Sequence, residues 1–420
     1  MRGNPIITLL IFSLIILLID YYTFKGLKKI EINFSFKTKK ILNTLFWSIP
    51  IIVISAILFL FFFRESTDPA YAMVYVHSFS GFFLATYIPK LVFILFNIID
   101  DIWHSAKLAV FQIKKKKIIE SDGKKITRNQ FITRAGAITA GLPFLSIIYG
   151  IAWGKFNFIV RKSNISLKTL PKSFDGFKIA QISDFHIGSF LTHKEKVKEV
   201  VDLVNQQNAD IILFTGDLVN NVSEELDGFI KILSQLKAPH GVYSILGNHD
   251  YGEYVSWKSQ EEKDANLQRL IDLQKQIGFN VMLNSSESIK IDNESISLIG
   301  VENWGLPPFP RYGNLKAALS NVNKESFKIL MSHDPTHWDA QVVGQTNIDL
   351  TLSGHTHGAQ FGIEIPGWRW SPVDLRYKQW GGIYKTGKQV LNVNTGIGFI
   401  GFPGRVGMPP EAGLITLRRS

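Results

Sequence analysis

Five short stretches of this chain place carboxylate, amide or imidazole groups directly after an apolar run. They are Ser183-Asp184-Phe185-His186, Thr215-Gly216-Asp217, Gly247-Asn248-His249-Asp250, Ser332-His333-Asp334 and Ser353-Gly354-His355-Thr356-His357-Gly358. Any one of them alone reads as an ordinary polar turn. Together they supply a donor set made only of nitrogen and oxygen. Cysteine is absent, so thiolate sites, disulfides and thiol nucleophiles are excluded. Such donors suit Mn, Fe, Zn, Co or Ni better than copper(I) or a cluster.

Each turn needs an element to hold it. The apolar runs at residues 177–182, 210–214, 242–246, 327–331 and 348–352 read as strands, each ending in one of the five turns. Amphipathic segments lie between them. Thr192 is expected to cap a helix to about residue 205, with Val197, Val200, Val201 and Val204 on one face. Further helices are expected near residues 224–236 and 266–276, and a hairpin around Asp292-Asn293-Glu294. This alternation signals an α/β domain, in which functional groups collect beyond the carboxyl ends of strands.

The first third of the chain is different. Residues 5–22, 42–63, 71–99 and 135–153 are continuous apolar stretches of roughly the 20 residues a membrane helix needs. Residues 1–154 thus form an all-α membrane anchor of about four helices, followed by a catalytic domain over residues 155–420. No small-residue cleavage site follows Asp20-Tyr21-Tyr22, so the first span is expected to be retained. Asp20 lies at the end of its span, and Lys90, after Pro89, is expected to snorkel to the interface.

Charge is unevenly placed. Residues 1–154 hold 18 Lys+Arg against 8 Asp+Glu, whereas residues 155–420 hold 28 against 27. A nearly neutral catalytic part argues against a nucleic-acid partner. Within the anchor, Lys25, Lys28, Lys29, Lys37, Lys39 and Lys40 follow the first span, and Lys107, residues 114–117, Lys124, Lys125, Arg128 and Arg134 follow the third. Only Arg64 lies between the second and third. The positive-inside rule places both basic loops in the cytoplasm and residues from 155 onward outside it.

The five motifs, in this order, resemble those of the calcineurin-like metallophosphoesterases, over roughly residues 165–420. The ending Gly404-Arg405-Val406-Gly407-Met408-Pro409-Pro410-Glu411 with Leu414-Ile415-Thr416-Leu417 resembles the membrane-anchored bacterial branch, some members of which act on lipid head groups or lipid pyrophosphates. The resemblance implies a four-layer α/β/β/α sandwich in a protein of the bacterial cytoplasmic membrane, and two divalent metal ions. It assigns Asp184, His186 and His357 to one ion and Asn248, His333 and His355 to the other, with Asp217 between them. His249 would face the substrate, its ring oriented by Asp250 or a nearby carboxylate. Two ions about 3.5–4 Å apart can clamp a phosphate oxygen and activate water for in-line attack. His249 can then protonate the leaving alkoxide.

The implied activity is hydrolysis of a phosphomonoester, phosphodiester or pyrophosphate bond. With the domain tethered at a bilayer, lipid-linked phosphates become the substrates at highest effective concentration. A non-catalytic metal- or phosphate-binding receptor on the same fold is the alternative, and loss of His249 or of the shared carboxylate would mark it. Two features stay open. His337 lies near His333 and can line a cleft. Residues 361–380 hold Trp368, Trp370, Tyr377 and Trp380 with Arg369 and Arg376, which suits either packing beneath a loop or contact with a bilayer interface.

Overall fold

A computed structural model of the chain describes residues 5–30, 34–63, 69–114 and 128–420. Arg64, residues 115–117, Lys124 and Lys125 lie outside the described residues. Two compact units emerge, one of residues 1–66 and 78–149, the other of residues 67–77 and 150–420.

Among the described residues, four helices are long and apolar enough to cross a membrane: α1 (Pro5–Ile30), α2 (Phe36–Phe63), α3 (Pro69–Lys114) and α4 (Arg128–Ala152). They run past the apolar stretches because helical hydrogen bonding does not stop where hydropathy does. Lys25, Lys28 and Lys29 therefore extend α1, and α3 continues through Asp100 and Asp101 instead of ending at Ile99. These ends carry ion pairs: Lys29 lies 3.2 Å from Asp100, Arg128 lies 3.4 Å from Asp100, and Lys25 lies 3.4 Å from Asp101.

Lys90 corrects the sequence expectation. It does not snorkel: its Nζ lies 2.5 Å from Asp20 Oδ1, and Tyr87 donates to Asp20 Oδ2 at 2.7 Å. Asp20 and Lys90 are both buried among the helices. A partner on the neighbouring helix offsets the charge where reaching water would not. Lys90→Met would leave the Asp20 charge buried with the Tyr87 hydroxyl in place but no lysine beside it, costing about 3–5 kcal/mol. The expected readout is a lower melting midpoint in detergent, largely restored by adding Asp20→Asn.

Among the described residues, the second unit contains fourteen strands: β1 (Ile159–Leu167), β2 (Lys178–Ile182), β3 (Ile211–Phe214), β4 (Val242–Ser244), β5 (Phe279–Val281), β6 (Ser285–Ile291), β7 (Glu294–Gly300), β8 (Phe327–Met331), β9 (Leu350–Ser353), β10 (Ile363–Ile365), β11 (Trp368–Trp370), β12 (Gly382–Thr386), β13 (Gln389–Val393) and β14 (Glu411–Arg419). They form two mixed six-stranded sheets, ordered β1-β14-β2-β3-β4-β5 and β12-β13-β9-β8-β7-β6, and a small β10–β11 ribbon. Alternating residues explain the layering. Ile179, Ile211 and Leu213 of the first sheet share a core with Leu298, Ile329 and Leu352 of the second. Their neighbours Ala180, Ile212 and Phe214 face outward onto α5 (Lys194–Asn205), α6 (Ile230–Leu233) and α7 (Gln260–Ile277). On the far side, Leu330 and Leu391 meet a short helix, α8 (Leu315–Ala318), and a wide turn over Trp338–Val342.

The four expected valines of α5 are fully buried, each contributing roughly 1.5–3 kcal/mol. The helix begins one residue later than expected, with His193 rather than Thr192 at its N-cap. The helix expected over residues 224–236 is broken into a 3-10 turn (Ser223–Leu226) and α6, because Gly228 adopts φ +88° between them. Helix α7 starts earlier than expected, where the Ser259 side chain accepts from the Glu262 N–H.

One buried polar side chain ties the sheets together near their carboxyl ends. Gln181 on β2 donates to the Ser353 carbonyl at 2.9 Å and accepts from Asn392 at 2.7 Å. A buried amide of one sheet satisfied by the other fixes their relative offset more narrowly than apolar packing does.

Candidate metal centre

All five motif turns leave the carboxyl ends of strands: β2, β3 and β4 of the first sheet, β8 and β9 of the second. Asp184, His186, Asp217, His355 and His357 have left-handed backbones, with φ between 47° and 74°. Such conformations are strained for non-glycine residues and persist only where their surroundings impose them. Here each turns the chain sharply enough to bring its side chain inward. Gly354 makes the β9 turn possible, since a Cβ there would overlap Ser183 Oγ and Asp184 Oδ2. The Asp184 carboxylate instead receives the His355 N–H at 3.0 Å.

The side chains gather in two overlapping groups. In the first, the Nε2 atoms of His186 and His357 are 3.0 Å apart, and His357 Nε2 is 3.4 Å from Asp184 Oδ1. In the second, His355 Nδ1 is 2.8 Å from Asn248 Oδ1 and 3.3 Å from His333 Nε2. Asp217 lies between, its Oδ2 3.1 Å from His333 Nε2 and 3.6 Å from His186 Nε2. Positions 355 and 357 thus serve different groups. Asp184, His186 and His357, and likewise Asp217, His333 and His355, lie close enough to share an ion.

Electrostatics test the fit. Burial pushes His186 down to about 3, His355 down to about 4, and His357 well below the usual range. Asp184, with no exposed surface, is raised to about 6 by burial, against the pull of His333. His333 would also be lowered by burial, but the Asp217 charge and hydrogen bond outweigh this and lift it to about 10. The Asp217 carboxylate thus makes the His333 position favourable to positive charge. His186, His355 and His357, neutral beside buried carboxylates, are donors of the kind divalent cations bind.

Surrounding residues hold the donors in place. His333 Nδ1 donates to the Thr215 carbonyl at 2.7 Å, leaving Nε2 for the centre. With His355 Nδ1 turned inward, its Nε2 lies 2.8 Å from the Tyr377 hydroxyl. Arg405, fully buried, donates to the Thr395 and Gly398 carbonyls and reaches His357 Nδ1 at 3.2 Å. Tyr254 accepts from Asn248 Nδ2 at 2.7 Å and packs 4.5 Å from the His249 ring. Tyr254 carries no motif, and Tyr377 and Arg405 stand out in the sequence only as members of the aromatic stretch and of the C-terminal signature. Removing a partner of this kind typically weakens metal affinity 10–100-fold. Tyr377→Phe is expected to do so in a chelator competition titration, with the fold unchanged.

His249 needs a correction concerning its partner. Its Nδ1 lies 2.6 Å from the Asn220 carbonyl, not from a carboxylate. Asp250 instead accepts backbone N–H groups from Asp217, Leu218, Val219 and Gly247, and so shapes the Asp217 turn. Buried Glu225 accepts the N–H groups of Asn220, Asn221 and Val222, bracing the loop that orients His249. His249 also stands edge-on to His186 at 4.8 Å and groups with His186 and Asp217. His337 does not line the site. It is buried between Ser332 and Gln341 and stacked on Trp304.

An α/β/β/α sandwich with Asp and His side chains clustered at its strand ends defines a site whose donors could hold metal ions. Comparison with known proteins gives the class a family. Residues 177–359 match the model described as calcineurin-like phosphoesterase, and residues 2–155 match that of a probable calcineurin-like phosphoesterase transmembrane domain. The uncharacterized metallophosphoesterase YkuE of Bacillus subtilis is 32% identical over 70% of this chain and 99% of its own length. A putative metallophosphoesterase of Caenorhabditis elegans is 28% identical over 73% of this chain and 60% of its own length. Among solved structures, a phosphopantetheinyl hydrolase of Mycobacterium tuberculosis gives a TM-score of 0.31 at 14% identity, covering 52% of this chain and 96% of that one. The chain belongs to the calcineurin-like metallophosphoesterase family, in a form carrying membrane helices.

Proposed function

We propose that this protein is a membrane-anchored phosphoesterase that uses two divalent metal ions to hydrolyse a phosphoester or phosphoanhydride bond of a lipid or envelope substrate outside the cytoplasm. The carrying observation is the pair of donor groups that share Asp217. Asp184, His186 and His357 would hold one ion, and Asn248, His333 and His355 the other. When bound, such ions polarise phosphate oxygens and lower the pKa of water.

The protein's own residues do the rest. Asp217 supplies negative charge between the two groups and fixes His249 by accepting its backbone N–H at 2.8 Å. With Nδ1 committed to the Asn220 carbonyl, the Nε2 of His249 is the atom free to deliver a proton to the leaving oxygen. Asn220 and Glu225 act through His249 as positioning residues. Phe309, edge-on to His355 at 4.6 Å, and Arg376, 5.2 Å over Phe309, supply an apolar wall with a cation beside the metal groups. That combination suits a phosphate carrying an apolar substituent.

The test is a substrate screen of the purified, metal-loaded protein across monoesters, diesters, pyrophosphates and lipid forms. Turnover is expected, fastest on a lipid-linked substrate. Phosphate binding without turnover of any of them would favour the receptor reading instead. Orientation is read separately: a C-terminal reporter active only outside the cytoplasm should be active.

A further inference from the structure

The β10–β11 ribbon leaves its apolar face exposed. Its register pairs Ile363 with Trp370, Glu364 with Arg369, and Ile365 with Trp368. Side chains alternate across a strand and cross-strand partners share a face, so both isoleucines and both tryptophans lie together opposite Glu364 and Arg369. On the charged face only Arg369 is half-buried against the domain, while Glu364 stays exposed and is held there by an ion pair. Glu364 accepts two hydrogen bonds from Arg161, at 2.9 and 3.0 Å, and Arg369 lies 4.4 Å over the buried Trp380. The apolar face is exposed: Ile363 by 49%, Ile365 by 54%, Trp368 by 51% and Trp370 by 40%. Leu375, just beyond the ribbon, is 87% exposed.

The root of the ribbon is tied to the end of α4. Gly362 donates to the Val406 carbonyl at 2.9 Å, and Phe361 bridges to Val406. The adjacent Arg405 N–H reaches the Gly150 carbonyl at 3.2 Å, in the last turn of α4. Residues 405–406 therefore hold both the ribbon and the end of the fourth apolar helix, all within one compact unit. The composition of the face matches that site, since tryptophan is favoured at membrane–water interfaces and an exposed apolar patch of this kind marks an interaction surface.

We propose that the β10–β11 ribbon is a bilayer-seating element whose Ile–Trp face lies in the lipid headgroup–acyl boundary beside the end of α4. The occupant is lipid. This rests on the membrane helices and not on the catalytic reading. Its consequence reaches the metal centre, because the same loop continues to Tyr377 on His355 and to Trp380, whose carbonyl accepts from Thr356 at 2.6 Å. Seating the ribbon would thus hold the His355–His357 turn at a set height above the lipid phosphates.

The absence of cysteine makes the test direct. Ile365→Cys and Trp368→Cys, each spin-labelled in the full chain, are placed in phosphatidylcholine–phosphatidylglycerol vesicles. Lys388→Cys, exposed at the amino end of β13, serves as the aqueous control. The ratio of accessibility to oxygen over that to a water-soluble nickel chelate is expected to be about tenfold higher at 365 and 368 than at 388. Equal ratios would overturn the proposal. So would low accessibility to both reagents, which means cover by protein; dipolar broadening between labels would identify a second copy. All three sites are exposed, so labelling leaves the fold intact, and this reading stands whether or not the protein turns over any phosphoester.

Discussion

Asp217→Asn should remove nearly all phosphoesterase activity while leaving the two sheets folded. The substitution keeps shape and removes one negative charge from the position shared by both donor groups, 3.1 Å from His333 Nε2 and 3.6 Å from His186 Nε2. That charge is what outweighs burial in raising His333, and under the proposed function it would be the shared counter-charge for two neighbouring cations. The backbone is not the cause, because the Asp217 N–H still bonds to Asp250 and the left-handed turn tolerates asparagine. The expected fall in kcat/KM on an aryl phosphodiester is about 10²–10³-fold or more. Metal content by elemental analysis should fall relative to the unsubstituted chain. Full metal content with an unchanged rate would remove Asp217 from the shared position.

His249→Ala should behave differently. Its ring is held by the Asn220 carbonyl at 2.6 Å and faces the centre without being needed to complete either donor group. Metal content should therefore stay the same while kcat falls by about 10²–10⁴-fold for a substrate with an alkoxide leaving group. With a nitrophenolate, which leaves without a proton, the loss should be much smaller. This contrast separates a proton donor from a ligand. If His249 were instead a ligand, as its grouping with His186 and Asp217 allows, metal would be lost and both substrates would suffer alike.

How far the site could be read in advance depends on where each residue's partner lies. The donors are local signals: a strand followed by a glycine-rich turn bearing Asp or His places its side chains at the sheet's carboxyl end. Asp184, His186, Asp217, Asn248, His333, His355 and His357 all come together there. The residues that hold them are not local. Tyr377 lies 22 residues from His355, and Arg405 lies 48 residues from His357. Only the packing of the aromatic loop and the C-terminal turn brings them in. Asp250 shows the same limit from the other side. Its position beside His249 suggests a carboxylate–histidine pair, yet its oxygens are taken by four backbone N–H groups. A backbone carbonyl, which no side-chain motif can announce, does the orienting.

The same reason applies in the anchor and in the ribbon. Hydropathy alone locates four apolar helices, because crossing hydrocarbon requires length and apolarity and little else. It cannot say that Lys90 turns inward to Asp20, since that depends on which helix lies alongside. In Ile363-Glu364-Ile365 and Trp368-Arg369-Trp370, alternation predicts two faces but not which faces the protein, and the usual expectation would bury the isoleucines. The tertiary structure decides otherwise, because Arg161 and Trp380 wait beneath the charged face. By itself, then, the sequence determined the fold class, the membrane helices and the donor set, all of which follow from periodicity and local turn chemistry. How the donors divide, what orients His249 and which face of the ribbon stays exposed were settled by the tertiary structure, because those outcomes depend on contacts between distant segments.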